Sequence, residues 1–158
     1  DASRYRVVVV GAGPVGRTLV RVLRDNGLEP MVIELDHERV AALHRDGVRA
    51  VYGDAAQASI LEAAGIREAR GLLVAASGTP AADVVRAARE LNPEIEVLAR
   101  TTYASEIAAT RAAGARVVVS GEVEVALAMA EHLLGTLGAT PEQLDLARAH
   151  ARSALQPE

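Results

Sequence analysis

Short apolar runs alternate along this chain with stretches of helical periodicity. Val7-Val8-Val9-Val10 is β-branched at every position, the pattern of a strand buried on both faces. Residues 11–16 then form a glycine-rich turn, and helical spacing runs on to about Asp25. Asn26-Gly27 ends that helix, since glycine adopts the left-handed cap without strain. The same beat repeats. Met31–Ile33, Arg49–Tyr52, Leu72–Ala75, Ile95–Ala99 and Arg116–Val119 read as further strands. Between them, helices are expected from Asp36 as N-cap to Arg45, over Gln57–Ala64, from Thr79-Pro80 to Asn92-Pro93, and over Tyr103–Ala113. Two more follow, over Glu122–Leu134 and over Pro141–Leu155, separated by Gly135-Thr136-Leu137-Gly138.

Strands separated by helices, with no hairpin signal, predict an α/β fold with a six-stranded parallel sheet covered on both faces. A turn of this kind after the first strand predicts the doubly wound order 3-2-1-4-5-6. The segments 7–54 and 72–119 echo each other as three-strand halves. The expected division is a nucleotide-binding domain over residues 1–138 and an appended helix over 139–158. Leu144, Ala147 and Leu155 give that helix a thin apolar stripe, suited to packing back on the domain or on a second subunit.

Composition narrows the possibilities. A chain of 158 residues suits one domain with a real core. The only aromatic residues are three tyrosines, so the core rests on Val, Leu, Ile and Ala. There is no cysteine, which excludes disulfides, thiolate catalysis and cysteine-bound metals. Net charge is −4 with Arg dispersed among acids, a pattern that argues against nucleic-acid binding. No apolar run approaches the roughly 18 residues that span a bilayer. Asp1-Ala2-Ser3-Arg4 leads straight into the first strand and does not read as a signal peptide. The missing initiator Met is what a domain cut from a longer chain would show.

The sharpest chemical feature is Gly11-Ala12-Gly13-Pro14-Val15-Gly16. Alone, such glycine spacing is weak, because glycines are common in turns. Here it follows a buried strand, opens a helix, and is followed 18 residues after Gly16 by Glu34 at the end of the second strand. Gly11 permits the tight turn, Gly13 leaves room for a pyrophosphate, and Gly16 lets the helix approach the sheet. The free amides of the first helical turn suit an anion. Pro14 fits that first turn, where its missing N–H matters least. Glu34 is placed to accept hydrogen bonds from both ribose hydroxyls and to repel a 2′-phosphate. NAD, NADH or AMP is therefore expected in preference to NADP.

Together with Val51-Tyr52-Gly53-Asp54-Ala55, these features resemble the RCK domain (regulator of conductance of potassium), also called KTN or TrkA-N. The likeness is strongest to the cytosolic domains of Kef-type monovalent cation:proton antiporters. It covers residues 6–135 and includes Leu61-Glu62-Ala63-Ala64-Gly65-Ile66, Val97-Leu98-Ala99-Arg100, Ala113-Gly114-Ala115 and Ser120-Gly121-Glu122. The resemblance implies a regulatory, non-enzymatic domain that binds an adenine nucleotide. It also implies a homodimer, a membrane cation antiporter or channel subunit as partner, and a cytoplasmic location beside the inner membrane. By matching position, Asp54 would lie near the adenine, Ala76 and Ser77 beneath the ribose and phosphates, and Arg100 at the far end of the ligand. Glu122 would stand near a dimer interface. The full set expected to hold the nucleotide is Gly11, Ala12, Gly13, Pro14, Val15, Gly16, Glu34, Leu35, Asp54, Ala55, Ala76, Ser77 and Arg100. Where many relatives carry Arg, this chain has Pro14, which removes a charge-assisted contact of about 1.5–3 kcal/mol. ATP or ADP is therefore less expected than NAD or AMP. Arg17, one turn on, is the candidate substitute.

Two other readings compete. The first is a minimal NAD-dependent oxidoreductase domain. Against it, the chain has no lysine for a Ser-Tyr-Lys arrangement around Ser77 and Tyr103. His37, His44, His132 and His150 all fall in expected helices, away from the strand ends where ligands bind in this fold. Asp36, His37 and Glu38 are adjacent on a helix and diverge, so they do not make a metal site. The second is an RCK-like structural domain that has lost its nucleotide, for which Pro14 is the only support.

Overall fold

A computed structural model describes residues 6–154. Residues 1–4 and Leu155, invoked above, lie outside the described residues. Six strands form one parallel sheet in the order β3-β2-β1-β4-β5-β6, as expected. They are β1 (Val7–Val10), β2 (Met31–Glu34), β3 (Arg49–Tyr52), β4 (Gly71–Val74), β5 (Glu96–Thr101) and β6 (Val117–Ser120). The helices are α1 (Pro14–Asp25), α2 (His37–Arg45), α3 (Ala58–Ala63), α4 (Ala81–Leu91), α5 (Ile107–Ala112), α6 (Gly121–Thr136) and α7 (Pro141–Ala154). Short 3-10 turns over Ile66–Glu68 and Ala104–Glu106 were not expected; the second replaces the first turn of the helix expected from Tyr103. Glu106 makes that turn, its side chain accepting the Tyr103 amide at 2.9 Å.

The central strand accounts for the layering. Side chains along a strand alternate between faces. Val8 and Val10 point into the larger core with Leu61, Leu72, Val74, Val84, Val85 and Val97, so α3 to α5 cover that face. Val9 points the other way, into a smaller core with Val20, Val32, Leu43 and Val48, supplied by α1 and α2. Side chains also tie loops down. Arg89 donates to the carbonyls of Gly114, Pro93 and Ile95. The Asn92 amide donates to those of Ile66, Arg67 and Ala69.

One expectation is not met. The β5–β6 half of the sheet is fully covered on one face only, because α1 and α2 lie over β1 and β2. Val97, Ala99 and Val118 are buried, whereas Val117 and Val119, on the opposite face, are 41% and 39% exposed. Helix α6 buries Val123 and Leu127 but leaves Val125, Met129 and Leu133 largely in solvent, as is Leu137 at its C-terminal cap. Helix α7 has no buried residue. It is tied to α6 by Arg148, which pairs with Glu131 and Asp145, and by Arg152, which pairs with Glu124. The hydrogen bonds from Arg148 hold the Glu131 carboxyl below the ordinary carboxylate range.

Core and surface leucines should therefore respond differently. Leu72→Ala, at a fully buried site, is expected to cost about 2–5 kcal/mol. Leu146→Ala, at an exposed site, should stay within about 0.5 kcal/mol. Urea unfolding of the two variants measures both. For α7, a carboxylate with a lowered folded-state pKa stabilises at pH above its unfolded value and loses that contribution as pH falls through the folded value. Acidification should accordingly raise amide exchange in α7 before it does so in β1 or β4, and Arg148→Ala should do the same at neutral pH.

Candidate functional site

Strand β1 delivers its chain to a point where two neighbours diverge: β2 lies on one side and β4 on the other, and their connections leave in opposite directions. Ligand crevices in open α/β sheets form at the carboxyl edge at this switch point. A groove of about 570 Å³ occupies it, lined by the glycine turn, the end of β2 and the β4–α4 loop.

The turn is shaped by two close approaches. Gly11 has φ +97°, and a Cβ there would lie 2.8 Å from the backbone of Ala76. A Cβ on Gly16 would fall 1.8 Å from the Gly11 carbonyl oxygen. Neither position admits a side chain without moving backbone. Gly13 is different. An added Cβ would meet only Arg39 Nη1, at 3.9 Å, so this glycine leaves open space beside the backbone. Pro14 is the first residue of α1, and no side chain caps the helix. Arg17 N–H donates to the Gly13 carbonyl, while the Val15 and Gly16 amides have no partner among the described residues. A helix start with free donors is an anion site by construction.

Glu34 forms the other wall. It is the last residue of β2, and the register Val10↔Ile33 sets it beside the turn. It is 7% exposed. One carboxylate oxygen accepts the Ala12 amide at 2.6 Å, and the other accepts the Asp36 amide at 3.0 Å. A carboxylate has about four lone-pair positions, so two remain for a ligand. Asp36 caps α2 by accepting the Arg39 amide at 3.0 Å. That bond holds the Asp36 carboxyl below the ordinary range, against a smaller opposing effect of desolvation.

The expected residues do not all meet. Gly11, Gly13, Pro14, Val15, Glu34, Leu35, Ala55, Ala76, Ser77 and Arg100 line the groove. Ala12 and Gly16 are buried behind it and shape the turn. Asp54 lies outside the lining; its Oδ1 accepts the Ala56 amide at 2.9 Å, which shapes the loop that carries Ala55. Arg100 falls inside β5, which runs two residues further than expected, and it donates to the Ala75 carbonyl at 3.4 Å. Arg17 faces away, into a separate depression between α1 and α2. Of the histidines, His37 comes nearest the groove, where it stacks on Tyr52 at 3.6 Å without lining it.

Arg39 was missed. It lines the groove, and its Nη1 lies 3.9 Å from Glu34 Oε2. A sequence signal existed: Asp36 as N-cap places residue 39 in the first helical turn, beside the acid that ends β2. Among the described residues no group of His, Asp or Glu suits a metal, and no helix is long and apolar enough to cross a membrane.

The model of the TrkA-N domain family matches residues 7–121. The candidate cation/proton antiporter YbaL of Escherichia coli is 39% identical over 127 residues, covering 80% of this chain and 23% of the relative. The candidate potassium efflux antiporter KefB of Alkalimonas amylolytica is 30% identical over 132 residues, covering 83% of this chain and 20% of the relative. The chain thus spans less than a quarter of the length of these relatives. The crystal structure of the YbaL TrkA-N domain superposes with a TM-score of 0.78 at 38% identity, covering 81% of this chain and 96% of that one. The Kef C-terminal domain of Shewanella denitrificans, in its AMP-bound form, gives 0.79 at 23% identity over 95% and 94%, a likeness of fold.

The two ends of the turn should respond oppositely to a methyl group. Gly16→Ala is expected to destabilise by about 1–3 kcal/mol or more, because backbone must shift. Gly13→Ala should fold normally, since its φ of −71° is ordinary and space is open. Thermal melts of both variants decide.

Proposed function

This chain belongs to the TrkA-N domain family, and we propose that it is a regulatory module that binds an adenine nucleotide and governs a monovalent cation transporter. The observation that carries this reading is the groove at the β1 switch point, with free helix amides on one wall and the buried carboxylate of Glu34 on the other. The amides suit a phosphate. The two remaining lone-pair positions of Glu34 suit a ribose diol. The preferred ligands are NAD, NADH or AMP, with the adenosine near Leu35 and Ala55 and the phosphate over Gly13. ATP and ADP are less favoured, since Pro14 brings no charge. NADP is disfavoured, because Glu34 and the ionised Asp36 would face its 2′-phosphate.

The partner is a membrane antiporter or channel subunit, attached or separate, with this domain on its cytoplasmic side. Residues 1–138 would hold the nucleotide, and the helix within 139–158 would serve assembly. A homodimer fits the uncovered apolar surface, on which Val125, Met129 and Leu133 follow one another at helical spacing on α6. Nucleotide can shift a dimer between arrangements only by binding one more tightly. The domain is proposed to act without catalysing a reaction; no lysine is present, and no histidine lines the groove.

Mass spectrometry of ligands released from the purified chain, followed by calorimetry with NAD, NADH, AMP, ATP and NADP, tests the site. NAD or AMP should bind below the millimolar range, and Glu34→Ala should weaken them by about 1–3 kcal/mol. No binding of any adenine nucleotide would sink the reading in favour of a structural domain, and steady oxidation of NADH would favour an oxidoreductase. For assembly, sedimentation at tens of micromolar should show a dimer that Met129→Asp dissociates. A monomer with and without nucleotide would overturn that part.

A further inference from the structure

We infer that Arg39 is the residue that grips the phosphate on the 5′ side of the bound nucleotide, reaching across the groove from α2. This rests on the nucleotide-binding reading above and names the cation that the turn itself does not provide.

The glycine turn offers an anion only backbone. Pro14 contributes neither charge nor N–H, Arg17 faces the opposite side of α1, and no lysine exists in the chain. Among the described residues two cations line the groove, Arg100 and Arg39. Arg100 stands at the far side, where it already donates to the Ala75 carbonyl. Arg39 stands over the turn. Its Nη1 lies 3.9 Å from the point where a Cβ of Gly13 would be, on the side that Gly13 leaves open.

The guanidinium of Arg39 is held only by an ion pair with Glu34 at 3.9 Å. Its side chain is 53% exposed and donates no hydrogen bond within the described residues. The neighbouring Glu34 oxygen, at 3.9 Å, lies beyond hydrogen-bond reach and already accepts the Ala12 amide. Among the described residues none of the five N–H donors of Arg39 makes a hydrogen bond, and they form a rigid fork whose geometry matches phosphate oxygens. Its backbone, by contrast, is anchored, because its amide donates to Asp36 in the α2 cap. A fixed base with a free fork can swing from the carboxylate to a phosphate without disturbing the fold. A 2′-phosphate would instead confront Glu34 and Asp36, so the 5′ side is the position that the surrounding charges favour.

The test compares adenosine, AMP and NAD by calorimetry on the unmodified chain, Arg39→Ala and Arg39→Lys, with melting temperatures to verify folding. Loss of a charge-assisted contact should weaken AMP and NAD by about ten- to a hundredfold in Arg39→Ala while changing adenosine far less. Arg39→Lys should recover part of the loss, and the salt dependence of AMP binding should flatten in Arg39→Ala. In the Arg39→Ala background, Pro14→Arg should restore AMP affinity by supplying the charge from the other wall. Equal weakening of adenosine and AMP, or no change in either, would overturn the inference while leaving nucleotide binding itself intact. If the unmodified chain binds none of the three, the proposed function fails instead.

Discussion

The buried carboxylate of Glu34 joins the three pieces of chain that make the groove. It ends β2, accepts the Ala12 amide of the glycine turn, and accepts the Asp36 amide that leads into α2. A buried charge is costly unless hydrogen-bonded, and charge-assisted bonds contribute about 1.5–3 kcal/mol each. The turn and the start of α2 are therefore held in place by the group proposed to read the ribose. Binding and structure share one residue, and the open face of that carboxylate is what remains for a ligand.

Around this junction, small residues act by what they leave out. Gly11 and Gly16 let backbone segments meet at distances no side chain permits. Gly13 keeps space open beside free amides. Pro14 starts the helix without supplying charge. The phosphate end of the groove is thus shaped for an anion but weakly charged, and its cations come from α2 and β5, across the sheet.

The opposite side of the molecule has a different character. Val117, Val119, Val125, Met129 and Leu133 stay exposed because α1 and α2 reach only half the sheet, and α7 binds α6 through ion pairs rather than a core. An α/β domain normally covers both faces of a parallel sheet. That uncovered half is the surface proposed for a second copy, and none of these five residues lines the groove at the carboxyl edge.

The strand order, the glycine turn, the helix cap at Asp36, and the position of Glu34 were legible in the sequence, because each follows from local periodicity or from what one residue's backbone allows. Other features were decided by the fold. Arg39 joined the groove and Arg17 left it because helix direction, not spacing along the chain, sets where a long side chain points. Asp54 stays outside the lining, its Oδ1 accepting the Ala56 amide of its own loop. The bare face of β5 and β6 depends on how far α1 and α2 extend across the sheet. These are relations between segments distant in sequence, and no single stretch encodes them. Local pattern determined which elements form and where an anion is welcome, and packing alone determined which charges face it.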